Sequence, residues 1–276
     1  MKVRLWGTRG SLASPGPATV RYGGNTSSVE VRASDGSRVI LDAGTGIREL
    51  GESIPPETKR LDLLLTHLHM DHIQGLGFFD PLHRPELEVH IWGPPSTTLD
   101  LRTRLTRYLS PPLFPVRLRD MGAQIAFHDV PVTPFSVGPL EVRGALVTHP
   151  GATVGYRIHE NGTSLAYLPD HEPALGVTDF PRAPDWTSGY DLAAGADVLI
   201  HDSQYTDEEY RAHVGWGHSS IPQTLALARS AGVRRLVTFH HDPDRSDEEL
   251  DRILEEARDA EPFELIGGAE GLELQV

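Results

Sequence analysis

Between Thr66 and Gly75 the chain reads Thr66-His67-Leu68-His69-Met70-Asp71-His72-Ile73-Gln74-Gly75, three imidazoles and one carboxylate within six residues. Neutral imidazole and carboxylate are ligands for Zn²⁺, Mn²⁺ or Fe²⁺, and four donors this close suit two metals better than one. The run follows the apolar stretch Leu61–Leu65, so a strand end and the first turn of the next helix would bring the donors to one spot at small entropic cost. Further donors stand where other strands should end: Asp42 after Val39–Leu41, His149 after Ala145–Val147, Asp170 after Tyr167–Leu168, and His240 with His241 after Leu236–Phe239. Each alone is as well explained by satisfying loop backbone. The placement recurs five times, however, and α/β folds put their sites outside strand ends. His240 directly follows its strand and is favoured, with the adjacent His241 as the alternative.

These donors need a framework of strands. Lys2–Trp6 alternates as a first strand, and Gly7–Asn25 is a loop punctuated by Gly, Pro and Ser. Ser27–Arg32 and Arg38–Leu41 flank a Ser34-Asp35-Gly36 turn. Gly46–Ile54 fits a short helix, Leu61–Leu65 a buried strand, and Leu87–Trp92 an extended segment. Ser96 is read as the N-cap of a helix reaching about Leu109. Strands follow at Glu141–Val147, Val154–His159 and Ser164–Leu168, the last two joined by an Asn161-Gly162 turn. Strands near Val198–Ile200 and Leu236–Phe239 then alternate with helices near Ser219–Ala231 and Ser246–Ala260. The pattern gives an α/β (α+β) fold in one domain, residues 1–276, built from two similar halves of about 1–145 and 146–276. Their sheets would pack face to face with helices outside.

Composition bounds the function. With 276 residues, 38% hydrophobic and 23% charged, the chain can bury a sizeable core, and disorder, collagen and coiled coil drop out. No apolar run approaches the roughly 18 residues of a membrane span, so no membrane partner is expected. The start reads as a strand and not a leader, and the absence of cysteine removes disulfides and thiolate ligands; both read as cytoplasmic. The net charge of −14 would ordinarily argue against a polyanionic partner. Thirteen acids and three arginines from Asp242 to Val276 supply −10 of it, the solvated face of a late helix plus strand. Seven of the 14 histidines fall on the positions of interest, 67, 69, 72, 149, 201, 218 and 240.

Over nearly its whole length the sequence resembles the metallo-β-lactamase superfamily, whose ordered motifs are Asp, H-x-H-x-D-H, His, Asp and His. The resemblance implies a four-layer αββα sandwich and two divalent metal ions per chain, Zn or Mn, with Fe as a further candidate. It places one ion on His67, His69, His149 and Asp170 and the other on Asp71, His72, Asp170 and His240, with Asp42 orienting a ligand imidazole or the bridging water. Histidine at 69, where the diiron flavoprotein branch has Glu, favours hydrolytic chemistry. Ile200-His201-Asp202-Ser203-Gln204-Tyr205 and Gly217-His218-Ser219-Ser220 are similar to segments of ribonuclease Z and its phosphodiesterase relatives, as are Trp6–Ser11 and Gly23–Ser27.

That branch implies hydrolysis of a phosphodiester by a hydroxide bridging the metals. His218 would protonate the leaving oxygen, and Asp202, where relatives carry Glu, would hold its imidazole, with His201 beside them. Arg9, Ser11 and Asn25 would add phosphate contacts. No long basic arm for gripping tRNA is evident, since Val177–Tyr190 holds Arg182 as its only basic residue. Arg102, Arg104, Arg107, Arg117 and Arg119 make an acid-free stretch, either a phosphate-steering rim or a solvated helix face. The expected substrate is a small phosphodiester or nucleotide such as a cyclic nucleotide, with long nucleic acid disfavoured and a homodimer open. Hydrolysis of a lactone, thioester or carboxylic ester on the same dinuclear site is the alternative, and tRNA 3′ processing is another.

Overall fold

Alternation in Lys2–Gly7 (β1) turns Val3 and Leu5 inward and leaves Lys2 exposed, setting the pattern of the first sheet. A computed structural model describes residues 1–276 apart from Thr178, Asp179, Arg182 and Asp259, so the basic side chain noted at Arg182 lies outside the described residues. After β1 come β2 (Ser28–Arg32), β3 (Arg38–Leu41), β4 (Arg60–Leu64), β5 (Glu88–Gly93) and β6 (Gln124–Asp129). The chain then crosses to a second sheet with β7 (Phe135–Val137), β8 (Leu140–Leu146), β9 (Val154–Glu160), β10 (Thr163–Leu168), β11 (Val198–Asp202), β12 (Arg235–Phe239) and β13 (Glu264–Gly267). Strand β14 (Glu273–Gln275) returns to pair with β1, so the orders are β14-β1-β2-β3-β4-β5-β6 and β13-β12-β11-β10-β9-β8-β7.

The hairpins sit where the turns were read. β2 and β3 pair Val31 with Val39, and Ala33 donates to the Ser37 carbonyl across the turn. β9 and β10 close on Asn161 and Gly162, both at positive φ (51° and 83°), as a two-residue loop between right-twisted strands requires. β3 to β6 run parallel, as do β10 to β13. Parallel strands bring their carboxyl ends to one edge, and in each sheet that edge carries the predicted donors.

Val3, Leu5, Val29 and Leu64 of one sheet meet Tyr156, Ile158, Ile200 and Phe239 of the other in the central core. Each fully buried aliphatic or aromatic side chain there contributes about 1.5–3 kcal/mol. The outer faces are covered by α1 (Ile47–Glu52), α2 (Met70–Ile73) and α3 (Leu101–Thr106) on the first sheet and α4 (Tyr190–Ala193), α6 (Ile221–Ala231) and α7 (Asp247–Arg258) on the second, with α5 (Asp207–His213) in the β11–α6 connection. The result is the four-layer αββα sandwich.

Helix boundaries follow their caps. Ser220 and Gln223 form a reciprocal capping box on α6, Pro222 fits its first turn, and Gly232 ends it at φ 64°. Ser96 is not the N-cap of α3: its hydroxyl accepts from the Thr98 and Leu99 amides in a local turn. Asp100 caps instead, accepting from the Thr103 amide, and the helix ends at Thr106. α5, with a Thr206/Glu209 capping box, and the short strands β6 and β7 carried too little periodicity to be read from sequence.

Candidate metal centre

β4 leads through Leu65 to Thr66, and Asp42 follows β3 in a left-handed conformation (φ 60°) that turns its carboxylate across to β4. Asp42 accepts from the Thr66 amide (2.7 Å), the Thr66 hydroxyl (2.9 Å), His72 Nδ1–H (2.9 Å) and the Tyr167 hydroxyl (3.0 Å). Thr66 Oγ in turn lies 3.1 Å from His67 Nδ1. The remaining histidines are held alike: His149 Nδ1–H donates to the Gly217 carbonyl (2.8 Å) and His240 Nδ1–H to Gln204 Oε1 (2.9 Å).

An imidazole that donates through one nitrogen is left with a lone pair on the other. The free nitrogens converge. Nε2 of His67, His149 and His240 lies 3.7, 3.8 and 3.3 Å from Asp170 Oδ2. His72 Nε2 is 2.9 Å from Asp170 Oδ1, yet neither atom has hydrogen-bond alignment with any partner, and His67 Nε2 is also buried without one. His69 stays exposed at the head of α2, with Nδ1 3.2 Å from His149 Nε2. Asp71 Oδ2 accepts from the Ser11 amide (2.9 Å) and lies 3.1 Å from His240 Nε2.

Ligand atoms within 4.8 Å of one another include those of His67, His69 and His149 and those of Asp71, His72, Asp170 and His240; His218 is as close to His149 with Asp170 and to Asp202 with His240. Burial opposes charge on His72, but the carboxylates of Asp170, Asp71 and Asp42 outweigh it and raise the imidazole well above its usual pKa. Burial would raise Asp71 and Asp170; the imidazoles of His72 and His240 hold both below the usual carboxylate range. The same field that holds a proton on His72 would hold a divalent cation. Unpartnered imidazole and carboxylate atoms converging in a buried, negatively charged spot fit divalent metal ions.

Beside this centre His218 donates Nδ1–H to Asp202 Oδ2 (2.8 Å), and its ring stacks on His240 with centroids 4.8 Å apart. Burial lowers its pKa, but Asp202 more than compensates and lifts it to about 9. Asp202 also accepts from the amides of His171 and Gln204, which fixes the carboxylate.

Three sequence-derived assignments are corrected. His201 lies in the interior, its Nε2 2.9 Å from His171 Nδ1 and its Nδ1 bonded to the Asp202 carbonyl, so it does not face the centre. Arg9 is fully buried, and its guanidinium donates to the carbonyls of Gly23, Asp242 and Arg245, leaving nothing for a phosphate. Asn25 is spent on Glu270 and the Thr45 hydroxyl. Ser11 is at the site, its backbone amide donating to Asp71 Oδ2 (2.9 Å). The alternative at the last position also closes: His241 bonds the Gly268 carbonyl (2.8 Å) and packs on Tyr22, away from the donors.

Sequence reasoning missed the residues that aim the ligands. Gln204 orients His240, Tyr167 and Thr66 hold Asp42, and Glu172 accepts from the Tyr210 hydroxyl and the Gly215 and Gly217 amides, fixing the loop that carries the His149 acceptor. Gly217 (φ 87°) has to be glycine, since a Cβ would fall 2.4 Å from His149 Nδ1.

Residues 37–241 match the family model of the β-lactamase superfamily domain. The chain belongs to the metallo-β-lactamase superfamily. It is similar to the ribonuclease Z of Mycolicibacterium gilvum, with 30% identity over 88% of this chain and 85% of the relative. Among solved structures it superposes on the metallo-β-lactamase fold protein YhfI of Bacillus subtilis (TM-score 0.72, 18% identity, 99% of each chain). It superposes also on a diphosphatase of the PhnP family (TM-score 0.70, 21% identity, 100% of this chain and 97% of that one). Superfamily membership makes the chain a hydrolase of this fold and implies divalent metal ions, in keeping with the donor cluster. Among the described residues no helix is long and apolar enough to cross a membrane.

Proposed function

We propose that the chain is a phosphodiesterase acting on small phosphodiesters or cyclic nucleotides, with two divalent ions, zinc or manganese. His67, His69, His149 and Asp170 would hold one ion and Asp71, His72, Asp170 and His240 the other. The ions, when bound, supply Lewis acidity and a water-derived nucleophile at neutral pH. The observation that carries the reading is the His218–Asp202 pair beside the donor cluster. Water oxygen adds to phosphorus and gives up one proton to solvent, the bond from phosphorus to the leaving oxygen breaks, and that oxygen takes a proton from His218 Nε2, which solvent then restores. Asp202 keeps the other ring nitrogen protonated and the imidazole in one orientation. Ester or thioester substrates with better leaving groups have less use for that acid.

His218→Gln assayed on bis(p-nitrophenyl) phosphate and on a cyclic nucleotide tests this. Turnover of the cyclic nucleotide, which loses a poor alkoxide, should drop by about 10²–10⁴ with metal content unchanged, and that of bis(p-nitrophenyl) phosphate, which loses a good phenolate, by much less. Full activity with full metal content would remove the phosphodiesterase role of His218. The name carried by the M. gilvum relative supports a second reading, cleavage at RNA 3′ ends. A precursor tRNA, a lactone and a thioester in the same panel decide between them.

A further inference from the structure

The segment from α3 to β6 holds arginines that the metal centre does not use. Arg102, Arg117 and Arg119 line one cavity of about 270 Å³ with Thr106, Ser110 and Leu118, and no carboxylate is among them. A second cavity of about 140 Å³ shares Arg102, Leu118 and Arg119 and runs on over Ile125 and Phe127 of the edge strand β6, again without a carboxylate. Beyond Arg102 the groove changes sign at Asp100 and Asp129, which confines an anion to the Arg117 side.

Pairing makes this unusual. Most exposed arginines elsewhere sit against carboxylates, as in Arg48–Glu52, Arg211–Asp207, Arg229–Glu261 and Arg252–Glu256, while Arg107, on the same segment, shows no ion pair among the described residues. Arg102 and Arg117 make no ion pair among the described residues, and Arg119 reaches only the exposed Asp120, at 3.6 Å. In a chain of net charge −14, a concavity lined by three arginines, two of them without an ion pair, is a local reversal of sign that suits a bound polyanion. The wall is also fixed in place: the Tyr108 hydroxyl donates to the Gln74 carbonyl just after α2, and Phe114 packs edge-on against Phe78 with ring centroids 5.5 Å apart.

We propose that this double concavity is a binding site for a small polyphosphate anion, independent of the metal centre. A planar guanidinium offers paired N–H donors to phosphate oxygens, and the size of the cavity suits a few phosphate groups. A nucleotide's phosphate chain and inorganic polyphosphate share this chemistry.

The test is calorimetric titration of inorganic pyrophosphate into the metal-loaded full chain, comparing wild type with Arg102→Glu/Arg117→Glu; heat from metal chelation is common to both proteins. The wild type should bind through an additional event whose affinity falls at least about tenfold in the double variant and weakens at raised ionic strength. Hydrolysis of bis(p-nitrophenyl) phosphate should be unchanged. Arg102→Gln/Arg117→Gln should give an intermediate loss, guarding against a fold effect of charge reversal. ADP titrated in parallel separates the sources: binding tighter than pyrophosphate points to a nucleotide, equal binding to the phosphates alone. Identical titrations for wild type and both variants overturn the site. Arginine-dependent binding of a short single-stranded RNA, with none of pyrophosphate or ADP, overturns its assignment to a small anion.

Discussion

Two groups of buried histidines in this chain look alike in sequence and do different things. His67, His149 and His240 sit just beyond strand ends and His72 in the short helix α2, while His171, His201 and His241 lie at strand ends or just beyond them; all seven are buried. In the first group one ring nitrogen is bonded to a group outside the cluster: the Thr66 hydroxyl, Asp42, the Gly217 carbonyl or Gln204. The other nitrogen turns toward Asp170. In the second group His171 and His201 bond each other and His241 bonds Gly268. His171 Nε2 and His241 Nδ1 are also unpartnered, but no carboxylate lies within ion-pair reach of them among the described residues. A lone pair is thus not enough for a metal; several have to converge around negative charge.

Substitutions can break this contrast. The largest effect is expected from Asp170→Ala, which should abolish turnover and strip metal, measured by elemental analysis, because its carboxylate lies near both donor sets. His201→Asn should leave metal content unchanged, and loss of metal there would erase the distinction. Gln204→Ala and Thr66→Val spare every donor: the first releases the His240 imidazole and the second frees His67 and removes one hydrogen bond to Asp42, so metal affinity should fall about 10–100-fold. If competition titration with a chelator shows no change, the orienting acceptors do not tune the ligands.

Arg9→Ala tests a correction of the same kind. Its guanidinium donates to three loop carbonyls, and its loss should destabilise the fold by about 2–4 kcal/mol in denaturant titration while KM for a small phosphodiester stays the same. A raised KM with unchanged stability would restore it as a phosphate contact.

A last contrast concerns protons. Burial lowers the His201 pKa from 6.5 to about 4, against the pull of Asp202, so the unfolded chain takes up this proton first as pH falls. Its contribution to stability is complete above pH 6.5 and is lost toward pH 4, at up to about 1.4 kcal/mol per pH unit. His201→Asn should flatten that acid limb in the metal-free protein, and an unchanged slope would show that His201 is not neutral when folded.

The donor list was legible because H-x-H-x-D-H packs four ligands into six residues, and Asp42, His149, Asp170 and His240 each follow an apolar run that could only be a strand. The hairpins were legible too, since Asn161-Gly162 and Ser34-Asp35-Gly36 state their turns locally. The roles of Arg9, Asn25 and His201 were not. Each belongs to a segment with the expected pattern, and its partners lie far away in the chain, Arg245 for Arg9, Glu270 for Asn25 and His171 for His201.

By itself, then, the sequence determined which side chains could bind metal and which strands would carry them, because ligand chemistry and strand periodicity are written in residue type and spacing. The tertiary structure decided which histidine nitrogen is free, that His240 and not His241 joins the cluster, and that Arg9 braces loops. Those outcomes depend on hydrogen-bond acceptors that come into reach only when two sheets far apart in sequence close on each other.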